Sequence, residues 1–306
     1  SIIMLASFLG GLGGAGAFVA QLPFLAANSR EQERNLVFSA STVIQSISWS
    51  LGAVLAGFKH NVFGSITVDI TSAYRATLFV AGGLSLLALV PTMMIREQRW
   101  LGARKISLSP YLWGINRNTI NHALISLFRG LSMGLVMPFL NVFFVYHLGT
   151  SREFFSAVSA VRILPTTMAT VLAPAVASAL GTVRALTLLR CLSAIPTFAI
   201  TLTSVPLLAA MIHWLGRAVS GTAMPLTFAF AMDSAEQKAK SATAAWLHVT
   251  FVLGSAVAAP IAGLFMARSQ YALPFYLSAV SIALAGVLNH ILFRSLDQQQ
   301  RDAVQS

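Results

Sequence analysis

Nine apolar stretches follow one another along the chain, at about 1–27, 36–58, 74–95, 119–146, 154–179, 185–204, 205–232, 242–266 and 271–293, with short polar breaks between them. Runs of about 20 apolar residues match a helix crossing a hydrocarbon layer about 30 Å thick, whereas a barrel strand needs about ten residues. The pattern predicts an all-α integral membrane protein with about nine transmembrane helices. The sixth and seventh runs are parted only by Ser204, Val205 and Pro206. The longest polar stretch, 96–118, reads as a linker between a helical bundle over 1–95 and a second over 119–293, with a tail at 294–306; a short surface helix is expected around Trp100 and Leu101.

One loop recurs. Asn28-Ser29-Arg30-Glu31-Gln32-Glu33 follows the first run, and Asp233-Ser234-Ala235-Glu236-Gln237-Lys238 follows the seventh, 205 residues later. Ser, Glu and Gln repeat at matching places, between helices of similar texture. Duplicated halves are a mark of secondary transporters, whose two repeats rock about a central site.

Composition closes off other classes. Hydrophobic residues form 56% of the chain, charged residues 9%, and the mean hydropathy is +0.75. A soluble domain carries about 25% charge, so these 306 residues cannot make a water-facing surface. The net charge of +11 would suggest nucleic acid in a soluble protein; here its placement matters more, since Lys and Arg collect in cytoplasmic loops. Twelve of the 20 cations fall in loops of one side, including 96–118 and the tail, against three on the other. That puts the linker and C-terminus in the cytoplasm and Ser1 on the outer side. The chain enters an apolar run at once, so an N-terminally truncated protein is expected. The single cysteine, Cys191, excludes an internal disulfide.

Polar residues inside apolar runs are the candidate chemistry. Arg129, Arg162 and Arg217 lie about 10, 8 and 12 residues into their runs, approaching the midplane at about 1.5 Å per residue. A cation there costs at least about 2.5 kcal/mol unless it meets water or a partner. No Asp or Glu lies inside the nine runs. The arginines therefore either line a cavity and meet an anionic solute, or snorkel and bond neighbouring carbonyls. His213 shares a helix face with Arg217 and Gly221, as a substrate or proton group or as a packing residue. Ser41, Gln45, Ser48 and Gly52 form one stripe with Trp49 beside it, for cavity lining or helix packing. Asn141 has the same two readings. Pro138 and Pro165 are expected to bend their helices.

Gly11-Leu12-Gly13-Gly14-Ala15-Gly16 fits a dinucleotide-binding pattern, but mid-span it has no strand before it. Gly10 and Gly14 instead offer a small-residue face for close helix contact. No H-E-x-x-H, Walker A lysine motif or histidine cluster occurs, so neither an enzyme, a cofactor nor a metal site is expected.

The chain resembles the major facilitator superfamily in the segment carrying Glu31 and Arg34, similar to that family's loop four–five, and in Glu236 with Lys238, similar to its loop ten–eleven. Gly134-Leu135-Val136-Met137-Pro138-Phe139-Leu140-Asn141 is similar to a helix-seven run of bacterial members. The turn Leu180-Gly181-Thr182-Val183-Arg184 resembles loop eight–nine, without the acidic residue that often accompanies the glycine. The resemblance implies two bundles related by a pseudo-two-fold axis, with helices four to twelve present and helices four, seven and ten at the cavity. It implies a monomeric permease of the plasma membrane (the inner membrane in a bacterium), moving a small solute by alternating access with protons as the default coupling ion. An efflux pump with a greasy Met- and Phe-lined cavity, and a membrane scaffold unable to transport, remain as alternatives.

Overall fold

A computed structural model describes residues 2–57, 70–94, 116–237 and 239–305. Helix is the only regular structure among them. The elements are α1 (Ile2–Ala27), α2 (Arg34–Gly57), α3 (Ile70–Leu87), α4 (Leu89–Met94), α5 (Arg117–Val136), α6 (Arg152–Val161), α7 (Ile163–Val171), α8 (Ala173–Leu180), α9 (Thr182–Ala199), α10 (Pro206–Asp233), α11 (Lys240–Ala267) and α12 (Leu273–Gln305). Six stretches of the described residues are long and apolar enough to cross a membrane. α2 and α10 have spanning length, 24 and 28 residues, but carry more polar side chains. Most of the 96–118 linker, with Trp100 and Leu101, lies outside the described residues.

The helices form two compact units, Ser1–Ile44 with Leu108–Ser306, and Gln45–Ser107. The second contains the end of α2, α3 and α4. The first holds α1, the start of α2, and α5 to α12.

Helix ends and breaks follow local chemistry. Asn116 caps α5, its Oδ1 accepting from the Thr119 amide at 2.8 Å. Proline clashes with the carbonyl four residues back, which is Gly134 for Pro138 and Val161 for Pro165. α5 accordingly ends at Val136 and passes into a 3₁₀ turn at Met137–Phe139, while α6 ends at Val161. Pro174, bearing on Thr170 in the same way, accompanies the next break, after Val171. Beyond Pro138 the chain widens into a π turn at Phe143–His147, and both Phe143 and Phe144 are fully buried. The turn expected at 204–206 is present: Thr203 is extended and Pro206 opens α10. Gly181 has φ +78°, a backbone region that a side chain disfavours, and ends α8.

In lipid, helices associate by close packing and by hydrogen bonds rather than by a hydrophobic drive. α5 and α11 use both. Thr119, Ser126, Gly130 and Gly134 lie on one stripe of α5. The Ser126 hydroxyl donates to the Leu247 carbonyl at 2.9 Å, and the Thr119 and Thr243 hydroxyls are 2.8 Å apart. A Cβ on Gly130 or Gly134 would overlap the backbone of Phe251 or Ser255, and one on Gly254 the backbone of Leu127. The two backbones touch because no side chain intervenes. Gly10 and Gly14, expected to make such a contact, have nothing within 4 Å of a Cβ position among the described residues. α5 also reaches α12: Ser132 and Ser278 hydroxyls lie 2.8 Å apart, and Ser278 donates to the Ser132 carbonyl.

A second polar joint binds α9, α10 and α12. Arg190, 3% exposed, donates from Nη1 to Asn289 Oδ1 at 2.8 Å and from Nη2 to Thr227 Oγ1 at 3.0 Å. Asn289 donates in turn to the Val183 carbonyl and Thr187 Oγ1. A buried charge is thus held by neutral oxygens.

Two measurements test these joints. Gly134→Leu and Gly254→Leu are expected to abolish folded protein and Gly134→Ala to cost about 1–3 kcal/mol, whereas Gly83→Ala, with nothing within 4 Å of its Cβ among the described residues, is expected not to lower the melting temperature in detergent. Asn289→Leu is expected to cost about 3 kcal/mol, because it strands the Arg190 charge, and the double variant Arg190→Met/Asn289→Leu to recover most of that loss. Reversible unfolding of the purified protein reads both; a double variant no more stable than Asn289→Leu would refute the joint.

Candidate functional site

The sequence places three arginines near mid-span, and the structure separates them. Arg129, on α5, stands with its guanidinium carbon 5.7 Å from the centre of the Phe251 ring on α11, a cation–π contact. Arg162 and Arg217 are brought together elsewhere.

Arg162 occupies the joint between α6 and α7 that Pro165 opens. Its amide bonds the Val158 carbonyl at 3.1 Å. Among the described residues its guanidinium meets only the Met137 sulfur, at 3.9 Å, a weak acceptor. Arg217 lies on α10 one turn beyond His213. Three contacts fix the register of α10 against α6 and α7. Trp214 Nε1 donates to the Val158 carbonyl at 2.9 Å, Gly221 lies against Thr166, and Thr222 Oγ1 donates to the Ala169 carbonyl at 2.9 Å. Residue numbers rise together on both sides, so the helices run parallel and Arg162 comes level with Arg217. The charge of Arg162 acts on both Arg217 and His213. Among the described residues His213 Nε2 and Arg217 Nε are buried without a hydrogen-bond partner. No Asp or Glu lies within the six candidate spans.

The remaining candidates are dispersed. Asn141, just past the Pro138 turn, lines an open recess of about 360 Å³ with Tyr146 and Phe155, and its Oδ1 accepts from the Val142 amide. Gln45 is exposed on α2. In the same stripe, Ser41 accepts from Gln21 Nε2 of α1 at 3.0 Å, a helix-packing bond. Trp49 lies on α2 with its side chain outside the described residues, as does the whole of Lys238. Gly181 is the turn described above and Arg184 follows it in α9. Among the described residues no group of three His, Cys, Asp or Glu could hold a metal ion.

The repeated loops meet. Arg34, at the start of α2, forms an ion pair with Asp233, at the end of α10, their side chains 12% and 30% exposed. Arg34 also reaches the Ala26 carbonyl at 3.5 Å. Beneath the pair, Leu22, Ala26 and Phe38 pack with Ala229, Ala231, Met232, Ala244 and Leu247 in one apolar cluster. Phe18 of α1 adds ring contacts with Phe228 and His248. Glu31 forms part of the 3₁₀ turn Glu31–Glu33 ahead of Arg34, and Glu236 caps a turn by accepting from the Ala239 amide.

Two contributors stayed hidden in the sequence reading. His122 and Asn118, one turn apart on α5, hold the residue after Asp233: His122 Nε2 lies 2.7 Å from Ser234 Oγ, and Asn118 Nδ2 donates to the Ser234 carbonyl at 2.9 Å. Ser234 Oγ spends its hydrogen on the Phe230 carbonyl, so it accepts from the imidazole. The available signal was a pair of polar residues at i and i+4 where an apolar run begins.

Compared with known families, residues 123–304 match the family model described as Major Facilitator Superfamily. No curated protein sequence matches the chain. The match covers more than half of the chain and runs from α5 through α12, the helices whose packing and polar contacts are described above. The chain belongs to the major facilitator superfamily, a family of membrane transporters.

Proposed function

We propose that this protein is a secondary transporter that moves a small solute by alternating access, drawn here closed on its cytoplasmic side. The observation that carries the reading is the Arg34–Asp233 ion pair over its apolar cluster. It joins the loop after α1 to the copy of that loop after α10, which is where two rocking repeats would close. The excess of loop cations supports a cytoplasmic location for this end, with the linker and tail beside it, in a plasma membrane. The proton is the coupling ion that the superfamily resemblance supplies.

The closure is suited to repeated opening. The apolar cluster excludes water while it is closed, and the ion pair above it remains partly in contact with solvent. Such a pair contributes far less than a fully desolvated one, so it biases a population without freezing it. The cargo reads as an organic anion, the class favoured by span arginines without span carboxylates.

A thiol-accessibility assay tests the gate. With Cys191 replaced by Ser, a cysteine introduced by Ala26→Cys is expected to react slowly with a polar maleimide. Arg34→Ala should speed labelling about tenfold, corresponding to about 1.4 kcal/mol of lost bias, and lower transport. Exchanging the charges, Arg34→Asp with Asp233→Arg, should return labelling toward the parental rate. Equal labelling in all three would sink the gate.

A further inference from the structure

We infer that Arg162 and Arg217, with His213 between them and the α10 register, form a binding subsite for a small organic anion carrying two negative charges. The inference rests on the transport reading above and names the cargo of that site more narrowly.

The argument begins from the parallel register of α10 against α6 and α7. Val158 pairs with Trp214 and Thr166 with Gly221, so the residue midway, Arg162, faces the level of Arg217. Gly221 belongs to the stripe His213–Arg217–Gly221, each four residues apart, and this stripe is the one turned toward α7. Two guanidinium groups and an imidazole therefore stand at one level on two adjacent helices, near mid-span.

Nothing in the described part of the protein neutralises them. Arg162 has a thioether for company, and Arg217 Nε and His213 Nε2 are buried without partners. His213 is only 9% exposed. Arg190 offers an internal comparison. It is more deeply buried and its Nε, like that of Arg217, has no partner among the described residues, yet both its terminal nitrogens bond neutral oxygens supplied by Asn289 and Thr227. A cation that serves only to tie helices together is satisfied in that way. The Arg162–Arg217 pair is not so satisfied, and donor groups without acceptors in a low-dielectric region fit a ligand that brings acceptors with it.

Charge balance sets the class. Arginine stays protonated in proteins, and two like charges side by side repel strongly away from water. A monoanion would leave one of them uncompensated. A dianion gives each guanidinium a carboxylate or phosphate oxygen in the fork geometry that arginine favours. Two separate carboxylates or one phosphate ester would supply it equally. His213 Nε2, if it carries the ring hydrogen, adds a third donor. Arg129 is outside this site, since its guanidinium rests on the Phe251 ring.

The test uses the full-length protein in lipid nanodiscs, with binding read by thermal shift and transport by counterflow in proteoliposomes. Succinate, glycerol 3-phosphate and monomethyl succinate are the probes. The expected result is that succinate or glycerol 3-phosphate stabilises and exchanges, and that the tighter of the two identifies which oxygen source is used. Monomethyl succinate should bind at least about tenfold more weakly. Arg162→Gln and Arg217→Gln should each weaken the dianion about tenfold or more, while monomethyl succinate changes by less than about threefold. That change in preference is one that mere loss of packing would not produce. The wild-type comparison of dianion with monoanion decides the matter even where a variant fails to fold. Failure of both dianions to bind, or equal loss of all three probes in the variants, overturns the inference. If monoanionic or neutral solutes exchange while dianions do not, the transport reading survives and the dianion subsite falls. If no solute exchanges and labelling at Ala26→Cys ignores Arg34, transport falls as well.

Discussion

The contact of α5 with α11 through bare backbone supports much of the C-terminal half. Gly130, Gly134 and Gly254 allow two helices to touch where lipid offers no hydrophobic drive for association. With α5 fixed on that side, its other polar residues reach outward. Ser132 joins α12, and Asn118 and His122 hold Ser234 at the end of α10. Asp233 is therefore presented to Arg34 from a restrained position. The path from a glycine stripe to an ion pair runs through one helix and two hydrogen-bonded side chains.

The span cations illustrate two solutions to one electrostatic problem. Arg190 is surrounded by amide and hydroxyl oxygens whose own hydrogens are spent elsewhere, so its charge is solvated by the fold. Arg129 rests on an aromatic face. Among the described residues Arg162 and Arg217 have neither arrangement. Along the chain Arg129, Arg162 and Arg217 lie at similar depth in their runs and Arg190 nearer an end; what separates them is the neighbouring helix, which contributes an oxygen in one case, a ring in another and a second cation in the third.

That difference marks the limit of what the sequence makes legible. The apolar runs foretold the helices because membrane thickness acts on each run separately. The breaks near Pro138 and Pro165 were legible for a similar local reason, although the shift of the breaks two and four residues upstream follows from where the proline ring strikes. The close helix contact was foreseen at Gly10 and Gly14 and is found at Gly130, Gly134 and Gly254, because small-residue spacing marks many possible interfaces and only the partner selects one. Arg34 and Asp233 each stood in a loop already singled out, yet their pairing spans about 200 residues and depends on how α1 and α2 meet α10 and α11. Arginine depth could be counted along the chain; the convergence of Arg162 with Arg217 required the parallel register that Trp214 and Gly221 set.

The repeated loop is not electrically symmetric. Asp233 stands where the first copy has Asn28, and the place of Arg34 is taken in the second copy by Ala239. The reciprocal positions, Asn28 and Ala239, carry no charge, so the ion pair has no counterpart at the matching place, although Glu31 acts on Lys240 nearby. A closure held mainly at one charged point would open by peeling from its other edge instead of parting all at once. On the proposed cycle, the halves would then separate through a skewed intermediate, with water entering first on the side away from Arg34 and Asp233.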